Sequence, residues 1–193
     1  MTEPTVLSLR RLGAFDDDDF WAFCQDNGDL RFERLADGQI LIMPDTGGKT
    51  GFLNSEINYA LVGWNRRERT GITFDSSTAF RLPNGAVRSP DASWVRGDRW
   101  EALSEAEQSR FPPLCPDFVI ELQSSSDTRR MLQSKMEEWR AQGCKLGWLV
   151  VPAERMTYVY TADGEVKALP FAEILTAPDL LPGFALHLAE IVR

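Results

Sequence analysis

The run Leu146-Gly147-Trp148-Leu149-Val150-Val151 carries no polar side chain. It reads as a strand, and a strand without apolar–polar alternation needs cover on both faces of its sheet. The pattern ahead of it supplies one cover. Residues 128–142 are spaced as a helix, opened by the polar stretch Ser124-Ser125-Ser126-Asp127 and stopped by Gly143. A second helical stripe runs from Phe52 to about Arg67 through Leu53, Ile57, Ala60, Leu61 and Trp64, and Gly71 ends it.

Strand patterns fill the remaining length. Leu30–Leu35 and Gln39–Met43 flank Asp37-Gly38, a two-residue hairpin turn. Ile72–Phe74, Thr78–Leu82, Asp91–Val95 and Asp117–Gln123 follow, with Pro83-Asn84-Gly85 as a turn. Met156–Tyr160 and Val166–Leu169 bracket a further hairpin at Ala162-Asp163-Gly164. Ser104-Glu105-Ala106-Glu107 has the form of a capping box that opens a short helix ended by Pro112-Pro113. Asp16-Asp17-Asp18-Asp19 precedes Phe20-Trp21 and is read as a heavily capped helix start rather than an acidic metal site. The fold class expected is α/β (α+β), a mixed sheet flanked by helices. The 193 residues suit a single domain, with residues 1–14 as a loosely ordered arm.

The net charge is -8, from 21 basic and 29 acidic residues. That balance argues against coating nucleic acid non-specifically, because phosphate neutralisation needs Lys and Arg. It leaves room for an enzyme whose bound metal offsets carboxylate charge. Cys24, Cys115 and Cys144 show no paired spacing and read as reduced thiols. With one histidine, His187, placed near the C-terminus and read as a helix-rim or core-edge residue, a zinc site is not expected. No window approaches the ~20 apolar residues of a membrane span. A soluble, cytoplasmic protein is the expectation.

Four charged residues resist explanation by packing. Glu56 shares the helical face of Leu53 and Ala60, and Lys135 lies four residues from both Met131 and Trp139 on the second helix. Glu121 sits inside Phe118-Val119-Ile120-Glu121-Leu122, where period-two alternation groups it with Val119 and Gln123. Asp91 follows Ser89-Pro90 at the start of an apolar run. Buried charge is costly unless it is paired or holds a metal. Three carboxylates and one ammonium converging on a cleft would suit a divalent cation and phosphodiester cleavage. The bland alternatives are a snorkelling lysine at Lys135 and a simple strand start at Asp91.

These residues fall in a familiar order. Pro44-Asp45-Thr46-Gly47-Gly48 then Glu56, Ser89-Pro90-Asp91, Pro116 through Ser124, Lys135 to Trp139, Gly143, and Gly147 through Pro152 together resemble the Uma-two family. These are restriction-endonuclease-like proteins of the PD-(D/E)XK nuclease superfamily. The resemblance spans about residues 30–188. It implies a restriction-endonuclease-like core and a magnesium-dependent nuclease site, with DNA as substrate and Mn²⁺ able to replace Mg²⁺. Carried over by position, Asp91 and Glu121 become metal-ligating acids and Glu56 the acid of the first core helix. The superfamily pattern asks for lysine two residues after the second acid, where this chain has Gln123. Lys135 could send an ammonium into the same space.

The residue types suit that chemistry. Mg²⁺ takes oxygen ligands in an octahedron and retains several waters. Asp91, Glu121 and the backbone carbonyl of Gln123 could hold it, and a water on such an ion becomes acidic enough to attack phosphorus. Lys135 would orient or deprotonate that water and stabilise developing charge. Glu56 could bind a second metal or a water of the first. A homodimer fits, since cutting both strands of a duplex takes two sites and symmetric pairs are common. Gly48-Lys49-Thr50 has the context of a phosphate loop, but Met43 occupies the place of its first glycine, so an NTPase is set aside. The alternative that remains is a catalytically inactive nuclease-fold module that binds nucleic acid or protein, which Gln123 and the acidic balance favour.

Overall fold

The computed structural model describes residues 4–8 and 15–192. The chain runs β1 (Thr5–Leu7), α1 (Asp17–Asp26), β2 (Arg31–Arg34), β3 (Ile40–Met43), α2 (Gly48–Glu68), β4 (Gly71–Asp75), β5 (Phe80–Arg81), β6 (Val87–Arg88) and β7 (Ala92–Arg96). It continues through α3 (Gly97–Glu101), α4 (Glu105–Gln108), β8 (Phe118–Leu122), α5 (Arg129–Ala141), β9 (Leu146–Val151), β10 (Met156–Thr161), β11 (Val166–Pro170), β12 (Leu175–Ala177), β13 (Leu181–Leu186) and α6 (Leu188–Ile191).

The main sheet has the order β11-β10-β9-β8-β7-β4. Only β8 and β9 pair in parallel, and a parallel pair needs a crossover, which α5 provides. The apolar run in β9 is explained by what lies on either side. Trp148 and Val150 face α2, joining Ile57, Leu61, Trp64, Phe118 and Ile120. Leu149 and Val151 face α5, joining Val119, Leu132, Met136 and Trp139. The hairpin β12–β13 completes the α2 side, where Phe184 stacks on Trp148 with 11° between ring planes. Each fully buried side chain of this size contributes about 1.5–3 kcal/mol, so both layers are needed to hold the sheet between them.

A second sheet, β1-β3-β2-β6-β5, is covered by α1, with Phe20, Phe32, Ile40 and Val87 as its core. The acidic run is the capping device expected of it. Asp16 accepts from the amides of Asp18 and Asp19, both at 2.9 Å. Asp19 reaches back to the Asp16 amide, and Asp17 pairs with Arg34 and Arg81.

The structure revises several boundaries. Gly48–Thr50, ahead of the helix start expected at Phe52, is the first turn of α2, with Gly47 as N-cap and a Gly51 amide to Gly47 carbonyl bond of 3.0 Å. The glycine pair suggested a loop by propensity, but the helix needs no side chain there to begin. The strand expected over Thr78–Leu82 shortens to β5; β6 and β12 carried no pattern long enough to find, and Pro182-Gly183 breaks the strand pattern of β13. Part of the arm expected over residues 1–14 is a strand, since Thr5–Leu7 pairs antiparallel with β3. Residues 1–3 and 9–14 of that arm lie outside the described residues. His187 caps α6 at the rim, 3.7 Å from Glu190. Among the described residues no helix is long and apolar enough to cross a membrane.

Candidate active site

The antiparallel pairing of β7 and β8 sets two carboxylates side by side. Ala92 pairs with Ile120, so one step further along Asp91 stands opposite Glu121. Directly opposed residues project to the same face with Cβ atoms about 4.5–5.5 Å apart. Because Ala92 and Ile120 face α2, Asp91 and Glu121 face α5. The Asp91 Oδ2 accepts the Leu122 amide at 2.7 Å, and the Asn58 side chain donates to the Asp91 carbonyl at 3.0 Å.

Helix α5 lays a lysine over this pair. Lys135 Nζ stands 3.0 Å from Glu121 Oε1 and 3.1 Å from Oε2. It also lies 2.9 Å from Glu33 Oε1 and donates to the Ser89 carbonyl at 2.8 Å. An ammonium has three hydrogens, and Glu121, Glu33 and Ser89 take them all. One turn further along, the Trp139 indole donates to Glu121 Oε1 at 2.8 Å. Arg88 joins Glu33 and Glu138, each at 2.7 Å, and the Ser89 amide donates to Glu33 at 3.0 Å. Glu33 and Glu121 are each 2% exposed, Arg88 7% and Lys135 8%, so solvent screens these contacts little.

Burial and charge act against each other here. Burial pushes Glu121 up to about 7; Lys135 opposes this, while Asp91 and Glu33 add to it. Burial also raises Asp91, with Lys135 and the Leu122 amide offsetting only part of the effect. Glu33 ends below the usual carboxylate range, because Lys135 and Arg88 outweigh its burial. Burial disfavours the Lys135 ammonium, yet Glu121 and Glu33 overcome that and hold it charged. Four carboxylates, those of Glu33, Asp91, Glu121 and Glu138, share two cations, Lys135 and Arg88. Fully ionised, the cluster is two positive charges short.

The cluster forms part of the wall of a cavity of about 810 Å³, which Glu33, Arg88, Ser89, Asp91, Glu121, Leu122 and Lys135 all line. A model of the family described as "Putative restriction endonuclease" matches residues 17–189, nearly the whole chain. The chain belongs to the Uma2 family. A solved protein from Anabaena variabilis ATCC 29413, described as "a putative nuclease belonging to DUF820", shares the fold with a TM-score of 0.72. The two are 19% identical over 83% of this chain and 89% of that one. Among curated proteins none matches. The mixed sheet between helices is thus the Uma2 fold, as the resemblance implied.

The cluster differs in membership from the sequence expectation. Asp91, Glu121 and Lys135 come together; Glu56 does not join them. At about 100° per residue, Glu56 lies about 200° around α2 from Asn58, the residue that reaches Asp91. It is half-buried and lines no part of the cavity, and its side chain makes no hydrogen bond or ion pair with a described residue. Gln123 also stays outside the lining, its side-chain amide donating to the Asp127 carbonyl at 3.3 Å. The third acid at the centre is Glu33, which sequence reasoning missed. Its only signal was a charge within the strand Arg31–Arg34, beside the apolar Phe32, and a half-exposed hairpin strand accounts for such a charge equally well.

A divalent cation is compatible with these donors. Among the described residues no group of three or more Asp, Glu, His or Cys stands where it could hold a metal. Mg²⁺ does not require one, since it binds through one or two carboxylates and keeps several waters. The Asp91–Glu121 pair is oxygen-only, its acidity weakened by burial and mutual repulsion, in a cluster lacking two positive charges.

Proposed function

We infer that this Uma2 chain is a metal-dependent endonuclease that hydrolyses phosphodiester bonds in DNA, with Mg²⁺ as its ion and Mn²⁺ as a substitute. The observation that carries this reading is the opposed Asp91–Glu121 pair beneath Lys135 in the cavity wall. Asp91 and Glu121 would hold the ion. When bound, a divalent cation polarises the phosphoryl group and lowers the pKa of water. In the hydrolysis a water oxygen bonds to phosphorus and one P–O ester bond breaks, leaving a phosphate monoester and a free hydroxyl.

The chain's own groups prepare that step. The Leu122 amide fixes Asp91, and the Trp139 indole fixes Glu121. Glu33 and the Ser89 carbonyl hold the Lys135 ammonium against the carboxylates. An ammonium kept charged by its neighbours does not accept a proton, so the role expected of Lys135 narrows to orientation and to stabilising charge on the phosphoryl oxygens. Working in a partly desolvated cluster, such a charge acts more strongly than it would in water.

A second reading, an inactive module of the same fold, is favoured by one observation: Lys135 and Trp139 already engage both oxygens of Glu121. Incubation with DNA in Mg²⁺, in Mn²⁺ and in EDTA separates the two. The nuclease reading expects cutting with either metal, none in EDTA, and none by Asp91→Asn or Glu121→Gln. Cutting in EDTA, or by both variants, contradicts it. DNA bound but never cut with any metal selects the inactive module.

A further inference from the structure

The cavity has two kinds of wall. One is charged, and its cations divide sharply. Arg88 and Lys135 are committed to carboxylates. The side chain of Arg31, at the start of β2, hydrogen-bonds only the Ser76 hydroxyl, at 3.3 Å, among the described residues. The side chain of Arg130, in the first turn of α5, makes no hydrogen bond or ion pair with any of them, and both arginines line the cavity and are exposed. Arg31 lies near enough to Asp91 to act on its carboxylate. The other wall is apolar: Trp21, Phe32, Leu41 and Phe111 line it. Leu30 and Met131, 49% and 38% exposed, add apolar surface open to solvent.

These walls distinguish two forms of nucleic acid. A duplex hides its base faces and presents phosphates and groove edges. A protein gripping it strongly neutralises about 6–10 phosphates, and here the described residues lining the cavity offer two guanidiniums not committed to a carboxylate, in a chain of net charge -8. The apolar wall would meet nothing on a duplex. A single strand turns its base faces outward, and is bound by a few backbone contacts together with apolar and aromatic platforms. Size points the same way. A cavity of about 810 Å³ falls within the ~300–1,000 Å³ of pockets that enclose small ligands, which suits one or two nucleotides of one strand.

We propose that the cavity takes a single strand of nucleic acid rather than a closed duplex, with Arg31 and Arg130 gripping the phosphates next to the bond presented to Asp91 and Glu121. This deepens the nuclease reading and rests on it. The test uses a short labelled oligonucleotide, single-stranded or as a blunt duplex of the same sequence. Binding is read by fluorescence anisotropy in Ca²⁺ across a salt series, and cutting in Mg²⁺. Stacked bases should favour the single strand by about 10-fold or more. Arg31→Ala and Arg130→Ala should each weaken its binding and reduce the slope of log affinity against log salt by about 0.7. Arg130→Lys should recover most of that slope, because it restores the charge. A duplex bound or cut as well as the single strand overturns the proposal, as does an Arg130→Ala protein with unchanged affinity and salt slope. In either case wild-type cutting leaves the nuclease reading standing. A wild-type protein that neither binds nor cuts either form overturns both.

Discussion

Helices α2 and α5 cover opposite faces of one sheet, and helical spacing puts a charge on or beside the inner stripe of each. On α2 that charge is Glu56, and on α5 it is Lys135. Their fates differ. The inner face of α2 is finished by Leu53, Ile57, Leu61 and Trp64, which meet aromatic residues of the sheet and of β13. Glu56 is left at the flank of that stripe, half in solvent, its side chain without a hydrogen bond or ion pair to a described residue. The inner face of α5 meets Glu121 from the sheet and Glu33 from β2, and Lys135 becomes its electrostatic centre. Helical spacing alone does not separate the two cases. What separates them is what the opposing surface offers: hydrocarbon for α2, carboxylate for α5.

The contrast can be broken first at the carboxylates. Asp91→Asn and Glu121→Gln keep shape and most hydrogen bonding but remove the charges proposed to hold the ion. Both should abolish metal-dependent cutting in folded protein, as measured on labelled DNA and checked by circular dichroism. A residual rate near wild type in either would detach the sheet face from the chemistry.

Lys135→Ala comes next. The rate should fall by about 10²–10³-fold, the scale of a lost group that stabilises transition-state charge. Stability should also fall, by about 3–5 kcal/mol in urea melts, because Glu33 and Glu121 lose a buried counter-charge. Adding Gln123→Lys should restore little, since residue 123 sends its side chain toward Asp127 rather than into the cavity. Substantial rescue would show that the two positions reach the same space after all.

Metal binding should depend on pH with a defined sign. Glu121 titrates at about 7 in the folded protein, against about 4.3 for a free glutamate. The folded state therefore binds the extra proton between those values, and metal-free stability falls as pH rises through that window. A cation must displace the proton, so Mn²⁺ affinity in calorimetry should climb by up to about tenfold per pH unit toward 7 and level off above it. A flat profile from pH 5 to 8 would remove Glu121 from the ligand set.

The smallest effect is expected at Glu56. Glu56→Gln should change the cutting rate less than about twofold and stability by no more than about 0.5 kcal/mol, as for surface sites away from special features. A loss comparable with that of Lys135→Ala would return Glu56 to the site and dissolve the contrast between the helices.

Much of this was legible in the sequence, for physical reasons. The unalternated β9 required two covers, and the 3.6-residue stripes of α2 and α5 supplied them. Asp91, Glu121 and Lys135 were conspicuous because charge in an apolar pattern is expensive. Glu33 was not, because β2 is a short strand of alternating polar and apolar residues, the pattern of a half-exposed hairpin strand. Its burial comes only from the approach of α5 and the Arg88-Ser89 segment, which no local pattern encodes. Glu56 misled for the converse reason: sharing a face with Leu53 and Ala60 placed it near the stripe, while Asn58, on the other flank, turned out to be the residue reaching Asp91. The short β6 and β12 strands stayed hidden because two or three residues do not make a period.

The central claim is that Asp91 and Glu121 form a cation site in the wall of the cavity. A crystal of the protein soaked in Mn²⁺ and measured for anomalous scattering tests it most directly. A manganese peak bonded to oxygens of both carboxylates, at about the 2.0–2.1 Å of a small octahedral dication or slightly longer, is the result expected. Manganese at Glu56 or at no ordered position, with Lys135 still closed over Glu121, would contradict it.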